Sequence, residues 1–86
     1  MAHIEIYTRP GCGYCMHAKR LLHSRGLNFE EYDVYVQPHL LSEMQSRTRA
    51  QGKVGRTYPQ VFIDGRSIGG FDDLLRMDQR GELKKD

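Results

Sequence analysis

The 86-residue sequence predicts an α/β fold of four strands and three helices in the order β-α-β-α-β-β-α, and three observations point to it. Short β-like runs alternate with longer segments whose apolar residues recur every three or four positions, the pattern of strands joined through helices. Asp64-Gly65 separates two β-rich runs, which is the signature of a tight hairpin, so the last two strands must be antiparallel. The first two strands are separated by a whole helix, so they must be parallel and joined by a right-handed crossover.

Each element has its own local cause. His3 to Thr8 alternates around Ile4 and Ile6 and reads as a short buried strand. From Tyr14 to Arg25, Cys15, Ala18, Leu21 and Leu22 fall on one helix face, while His17, Lys19, Arg20 and His23 point elsewhere. Gly26 supplies the C-terminal stop of that helix. Asn28 to Val34 reads as the second strand, and Pro38 to about Gln51 as a helix with Leu41 and Met44 inward and Gly52 closing it. Gln60 to Ile63 and Arg66 to Ile68 flank the hairpin turn, and Phe71 to Arg80 forms a last helix capped by Gly81.

Composition narrows the class. Residues 1–86 are expected to form one domain, near the lower size limit for a single core, burying roughly 60 to 65% of the unfolded surface. No stretch resembles a signal peptide or a membrane span, so a soluble, cytoplasmic protein without a membrane partner is expected. A net charge of +2 is too small to argue for nucleic-acid binding. Arg47, Arg49, Lys53 and Arg56 do cluster, and they read as a solvated helix end.

The chemistry resides in Cys12-Gly13-Tyr14-Cys15, which holds the only two cysteines of the chain. A loop this short removes little chain entropy when closed, so the pair serves chemistry rather than stapling. Cys12 follows the first strand and opens the first helix, where unsatisfied N–H groups and the helix dipole favour a thiolate. Cys15 lies on the same face three residues on, placed to attack a mixed disulfide formed by Cys12. The crossover puts these thiols at the carboxyl end of the first strand, where sites of open α/β sheets gather. A zinc site fails on ligand count, because His3, His17, His23 and His39 lack a second metal-binding spacing.

Four stretches resemble the glutaredoxins of the thioredoxin superfamily. They are Ile6-Tyr7-Thr8-Arg9, Cys12-Gly13-Tyr14-Cys15, Thr57-Tyr58-Pro59-Gln60-Val61-Phe62-Ile63 and Ile68-Gly69-Gly70-Phe71-Asp72-Asp73-Leu74, in family order along nearly the whole chain. The resemblance implies a thioredoxin-like fold, a monomer, and a glutathione-dependent thiol–disulfide oxidoreductase acting on glutathionylated or disulfide-containing proteins. It makes Cys12 the nucleophile and Cys15 the resolving thiol, and it places glutathione against Arg9, Cys12, Tyr14, Thr57, Tyr58, Pro59, Gly70, Phe71, Asp72 and Asp73.

Pro59 resembles the family's cis-proline, which would leave the Tyr58 backbone free to pair with an extended substrate. Gly69-Gly70 offers a tight turn at a helix N-terminus able to receive a carboxylate, and Asp72 or Asp73 either pairs with an ammonium group or caps the helix. Arg9 is a candidate partner for the glycyl carboxylate.

Gly13 departs from the family's commoner proline. Relatives lacking that proline include proteins that hold a [2Fe-2S] cluster between two subunits, so a glutathione-ligated cluster with Cys12 of each chain is the alternative of another class. A redoxin served by thioredoxin reductase is a further alternative, opposed by the glutathione-like Gly69 to Asp73 stretch and Arg9. Gln45 to Arg56 is longer than short bacterial glutaredoxins need, and its cations would attract anionic glutathione or an acidic partner if they were more than a solvated face.

Overall fold

In a computed structural model describing residues 2–84, the elements are β1 (Ile4–Thr8), α1 (Gly13–Ser24), β2 (Glu30–Asp33), α2 (His39–Ala50), β3 (Gln60–Ile63), β4 (Arg66–Gly69) and α3 (Phe71–Gln79). The expected order holds, and so do both pairing senses. The sheet runs β2-β1-β3-β4, with β1 parallel to β2 and antiparallel to β3, and β3 antiparallel to β4. Among the described residues, no helix is long and apolar enough to cross a membrane.

Both faces of the sheet are covered. Ile4 and Ile6 point into one core with Ala18 and Leu22 of α1, Val61 of β3 and Leu74 of α3. Tyr7 and Phe62 point to the other face, where they meet Val34 and the α2 residues Leu40 and Met44. Fully burying an aliphatic or aromatic side chain contributes about 1.5–3 kcal/mol, so these two clusters supply most of the drive to fold. Consequently all five β1 residues are buried, Glu5 included, although only the alternate positions Ile4 and Ile6 signal a core in the sequence.

Two expectations need correction on the α2 side. Leu40, not Leu41, faces the core: Leu40 is 7% exposed and Leu41 37%. The buried stripe is Leu40, Met44 and Thr48, one residue per turn at i, i+4 and i+8. Thr48 escapes an apolar count, yet its hydroxyl is satisfied inside the helix by the Gln45 carbonyl at 3.0 Å.

Arg47 is likewise not part of a solvated face. Its guanidinium donates to both Glu5 carboxylate oxygens at 2.8 and 3.1 Å and to Tyr7 Oη at 2.8 Å, and it lies 4.1 Å from the Phe62 ring centroid. A fork-shaped cation that satisfies a buried carboxylate makes the Glu5 burial tolerable.

The second strand is also shorter than expected. Only Glu30–Asp33 pairs with β1, whereas Leu27 and Phe29 pack as partly buried hydrophobics before the ladder begins.

Candidate active site

Cys12 is the N-cap of α1, with extended backbone at φ −101° and ψ 106°. That conformation turns its side chain back over the first turn, where Cys15 N–H donates to Cys12 Sγ at 3.1 Å. Cys12 Sγ also lies 3.7 Å from the Tyr58 carbonyl oxygen, bringing the start of α1 against the segment that leads into β3. The Tyr58–Pro59 peptide is cis, as the motif predicts.

The two thiols occupy unequal surroundings. Cys12 is half-buried, and Cys15 is 1% exposed; both are free. Burial pushes the Cys15 thiol up to about 12, its hydrogen bond with Cys12 adds to the shift, and a bond with the Arg9 backbone opposes it. Cys15 is therefore a neutral, protected thiol at physiological pH, while the accessible sulfur is that of Cys12.

Beside the thiols lies a cavity of about 290 Å³ lined by Tyr14, Thr57, Tyr58, Gly70, Phe71, Asp72 and Asp73. Seven residues predicted from the sequence thus share one wall. Three of its elements are locally fixed. Gln60 is buried and its side-chain N–H groups bond the Thr57 carbonyl at 2.7 Å and hydroxyl at 3.2 Å, holding the segment before β3. Gly69 has φ +117°, and a Cβ there would collide with the Asp73 carboxylate, so glycine is required. Asp73 Oδ2 accepts the Gly70 N–H at 3.0 Å and caps α3, while its other oxygen pairs with Arg76. Asp73 is therefore a helix cap that also faces the cavity, and Asp72 beside it is exposed.

Arg9 and Pro59 are not in the cavity wall. The Arg9 guanidinium sits 5.1 Å from the Tyr58 ring centroid, a cation–π contact at the rim, and Pro59 is buried beneath the wall.

One neighbour escaped the sequence reading. His17 lies 5.8 Å from the Phe71 ring and 6.4 Å from that of Tyr14, and Tyr14 stacks on Phe71 at 6.1 Å. The spacing of Tyr14 and His17, i and i+3 on α1, was the available signal. Among the described residues, no group of three or more His, Cys, Asp or Glu side chains is placed to hold a metal ion.

Comparison with known proteins bears on this geometry. The family model described as Glutaredoxin matches residues 4–68. Glutaredoxin 3 of Escherichia coli K12 is 45% identical over 84 residues, covering 96% of this chain and 94% of that protein. A glutaredoxin of Neisseria meningitidis serogroup A is 42% identical over 84 residues, covering 96% and 93%. Among solved structures, the glutaredoxin of Brucella melitensis is 44% identical with a TM-score of 0.75, covering 96% of this chain and 85% of that one. A buckwheat glutaredoxin–glutathione complex gives a TM-score of 0.81 at 26% identity, covering 95% and 73%.

Proposed function

The chain belongs to the glutaredoxin family, glutathione-dependent thiol–disulfide oxidoreductases, and on that premise we propose that Cys12 is its nucleophile, Cys15 its resolving thiol, and the cavity beside them its glutathione site. The observation that carries this reading is the position of Cys12 Sγ, held by the Cys15 N–H at the mouth of α1 and adjoining Tyr58.

Glutathione brings two carboxylates, one ammonium and a thiol. The α3 N-terminus suits a carboxylate, the Asp72 side chain suits the ammonium, and Tyr58 offers a backbone edge to the cysteinyl part. Arg9 at the rim suits the remaining carboxylate.

The chemistry proceeds by exchange. The Cys12 thiolate attacks the glutathione sulfur of a mixed disulfide, the S–S bond breaks, and the protein thiolate leaves and takes up a proton. A second glutathione thiolate then attacks the sulfur held on Cys12, forming glutathione disulfide and releasing Cys12. With a protein disulfide, Cys12 forms the mixed disulfide and Cys15 attacks Cys12 Sγ, displacing the substrate thiolate and leaving an internal disulfide for glutathione to reduce.

Burial of Cys15 favours this division of roles, because a thiol 1% exposed cannot meet a protein substrate first.

Two variants test the assignment. Cys12→Ser is expected to abolish turnover of both substrate kinds with glutathione, glutathione reductase and NADPH. Cys15→Ser is expected to retain deglutathionylation and to lose reduction of protein disulfides. Equal loss of both activities in Cys15→Ser would refute the division.

A further inference from the structure

The geometry points to a second binding surface, a carboxylate-binding pocket at the end of α2 that receives an acidic segment of the polypeptide substrate while its disulfide reacts at Cys12. This deepens the proposed oxidoreductase reading and rests on it.

A cavity of about 350 Å³ lies between the last turns of α2 and the segment that follows, and its wall carries three cations, Arg49, Lys53 and Arg56, with the polar side chains of Gln45 and Thr48 and no acidic residue. The segment is pressed against α2: Gly55 is buried, and a Cβ there would stand 2.7 Å from Thr48 Oγ1. The concavity is therefore built by packing rather than by loose side chains. Lys53 is fixed by donating to the Ser67 carbonyl at 2.6 Å. Among the described residues, no carboxylate pairs with Arg49 or Arg56.

Complementing the α2 dipole explains at most one of these cations. Arg47 in the last turn is consumed by Glu5, and Lys53 and Arg56 lie beyond the helix end, whose carbonyls at Thr48 and Arg49 already accept from Gln51, Gly52 and Lys53 N–H groups. An adjoining cavity that shares Lys53 is lined by Arg66, Arg76 and Arg80 as well, but there Arg76 and Arg80 are paired with Asp73 and Glu82. The α2 pocket thus carries three cations against no carboxylate, whereas its neighbour carries four against two.

Its position links it to the thiol. Arg56 precedes Thr57 and Tyr58, and two extended residues span about 7 Å, so the pocket lies close behind the Tyr58 carbonyl that adjoins Cys12 Sγ. The pocket and the thiol-side cavity share no lining residue, with Thr57 and Tyr58 between them. A tripeptide seated in the thiol-side cavity leaves the α2 pocket free. A longer chain linked through its own sulfur to Cys12 continues past that wall, and acidic side chains on it are drawn to the three cations of the pocket, an attraction that salt screens over a Debye length of about 8 Å.

The test compares two peptides of identical scaffold, each closed by an internal disulfide, one with three aspartates flanking the cysteine that Cys12 attacks and one with three lysines there, on the wild type and on Arg49→Ala/Arg56→Ala. The wild type is expected to prefer the acidic peptide in kcat/KM, with a preference that fades as salt rises. The double variant is expected to lose about tenfold on the acidic peptide and most of that salt dependence, while hydroxyethyl disulfide turnover and the KM for glutathione stay unchanged. Arg49→Lys/Arg56→Lys is expected to retain most of the preference, which separates charge from packing.

Equal loss on both peptides, or no loss, would overturn the inference. A parallel rise in the glutathione KM would also overturn it, by assigning the cations to glutathione. A wild type inactive even on hydroxyethyl disulfide would overturn the oxidoreductase reading and this inference with it.

Discussion

Gly13 is the first residue of α1, directly after the N-cap sulfur, and no heavy atom lies within 4 Å of the place its Cβ would occupy. Proline is favoured at such a first helical position because its φ is already set and its missing N–H is not required by the helix. Glycine there enlarges the unfolded ensemble without adding a native contact. Gly13→Pro is therefore expected to raise stability by about 0.4–1 kcal/mol, read as a higher urea midpoint at unchanged slope. A lower midpoint would mean that the first turn needs a freedom only glycine has. The same scale governs thiol reactivity. Iodoacetamide at neutral pH is expected to add a single carbamidomethyl group, at Cys12, because Cys15 is buried and holds its proton. Two adducts on the folded protein would contradict the asymmetry on which the division of roles depends.

At the scale of elements, α2 tests whether periodicity or packing decides a buried face. Leu40→Ala is expected to cost about 2–5 kcal/mol and Leu41→Ala less than about 1 kcal/mol, measured by urea unfolding, because only the first empties a space packed by Tyr7, Met44 and Phe62. The reverse order would restore the face that apolar counting favours. That error shows where sequence stops being legible. Strand order and pairing were readable, because Asp64-Gly65 dictates a hairpin and a helix-length connection dictates a parallel pair. The face of α2 was not, because its stripe includes Thr48, and Leu40 and Leu41 compete for one position. The start of β2 was unclear for a related reason: Leu27 and Phe29 are apolar enough to extend a strand but spend that apolar surface on the core before the ladder begins. In the site, the thiols were legible as the only two cysteines of the chain, the double glycine through a backbone freedom few residues have, and the cis-proline through the resemblance to glutaredoxins. His17 and Gln60 were not, since a surface histidine and a strand glutamine look ordinary until their partners Phe71 and Thr57 are in place.

Across the whole molecule, charge pairing ties layers that hydrophobic clusters alone would only press together. Arg47 joins α2 to the central strand through Glu5, Arg25 just past α1 grips Asp78 of α3 with two bonds of 2.7 and 2.9 Å, and His3 meets Glu30 of β2 at 2.9 Å. These pairs give stability a defined dependence on pH. The Arg47 hydrogen bond holds the Glu5 carboxyl below its ordinary value of 4.5, so the unfolded chain takes up that proton first as pH falls. Stability from Glu5 is thus fully present above about pH 4.5 and is lost as pH drops through the folded value. His3 acts in the opposite sense. Its bond to Glu30 raises it above 6.5, so its contribution is full below that value and disappears as pH rises through the folded value; its exposure keeps this effect small. The urea midpoint is expected to peak between these limits, falling steeply toward acid and gently toward neutral. Glu5→Gln is expected to lower the whole curve, because Arg47 loses its ionised partner, and also to flatten the acid limb. His3→Gln is expected to remove only the gentle decline near neutrality. An acid limb equally steep in Glu5→Gln would show that other carboxylates govern acid unfolding and that the buried pair joining sheet to helix is not where the protein is weakest to protons.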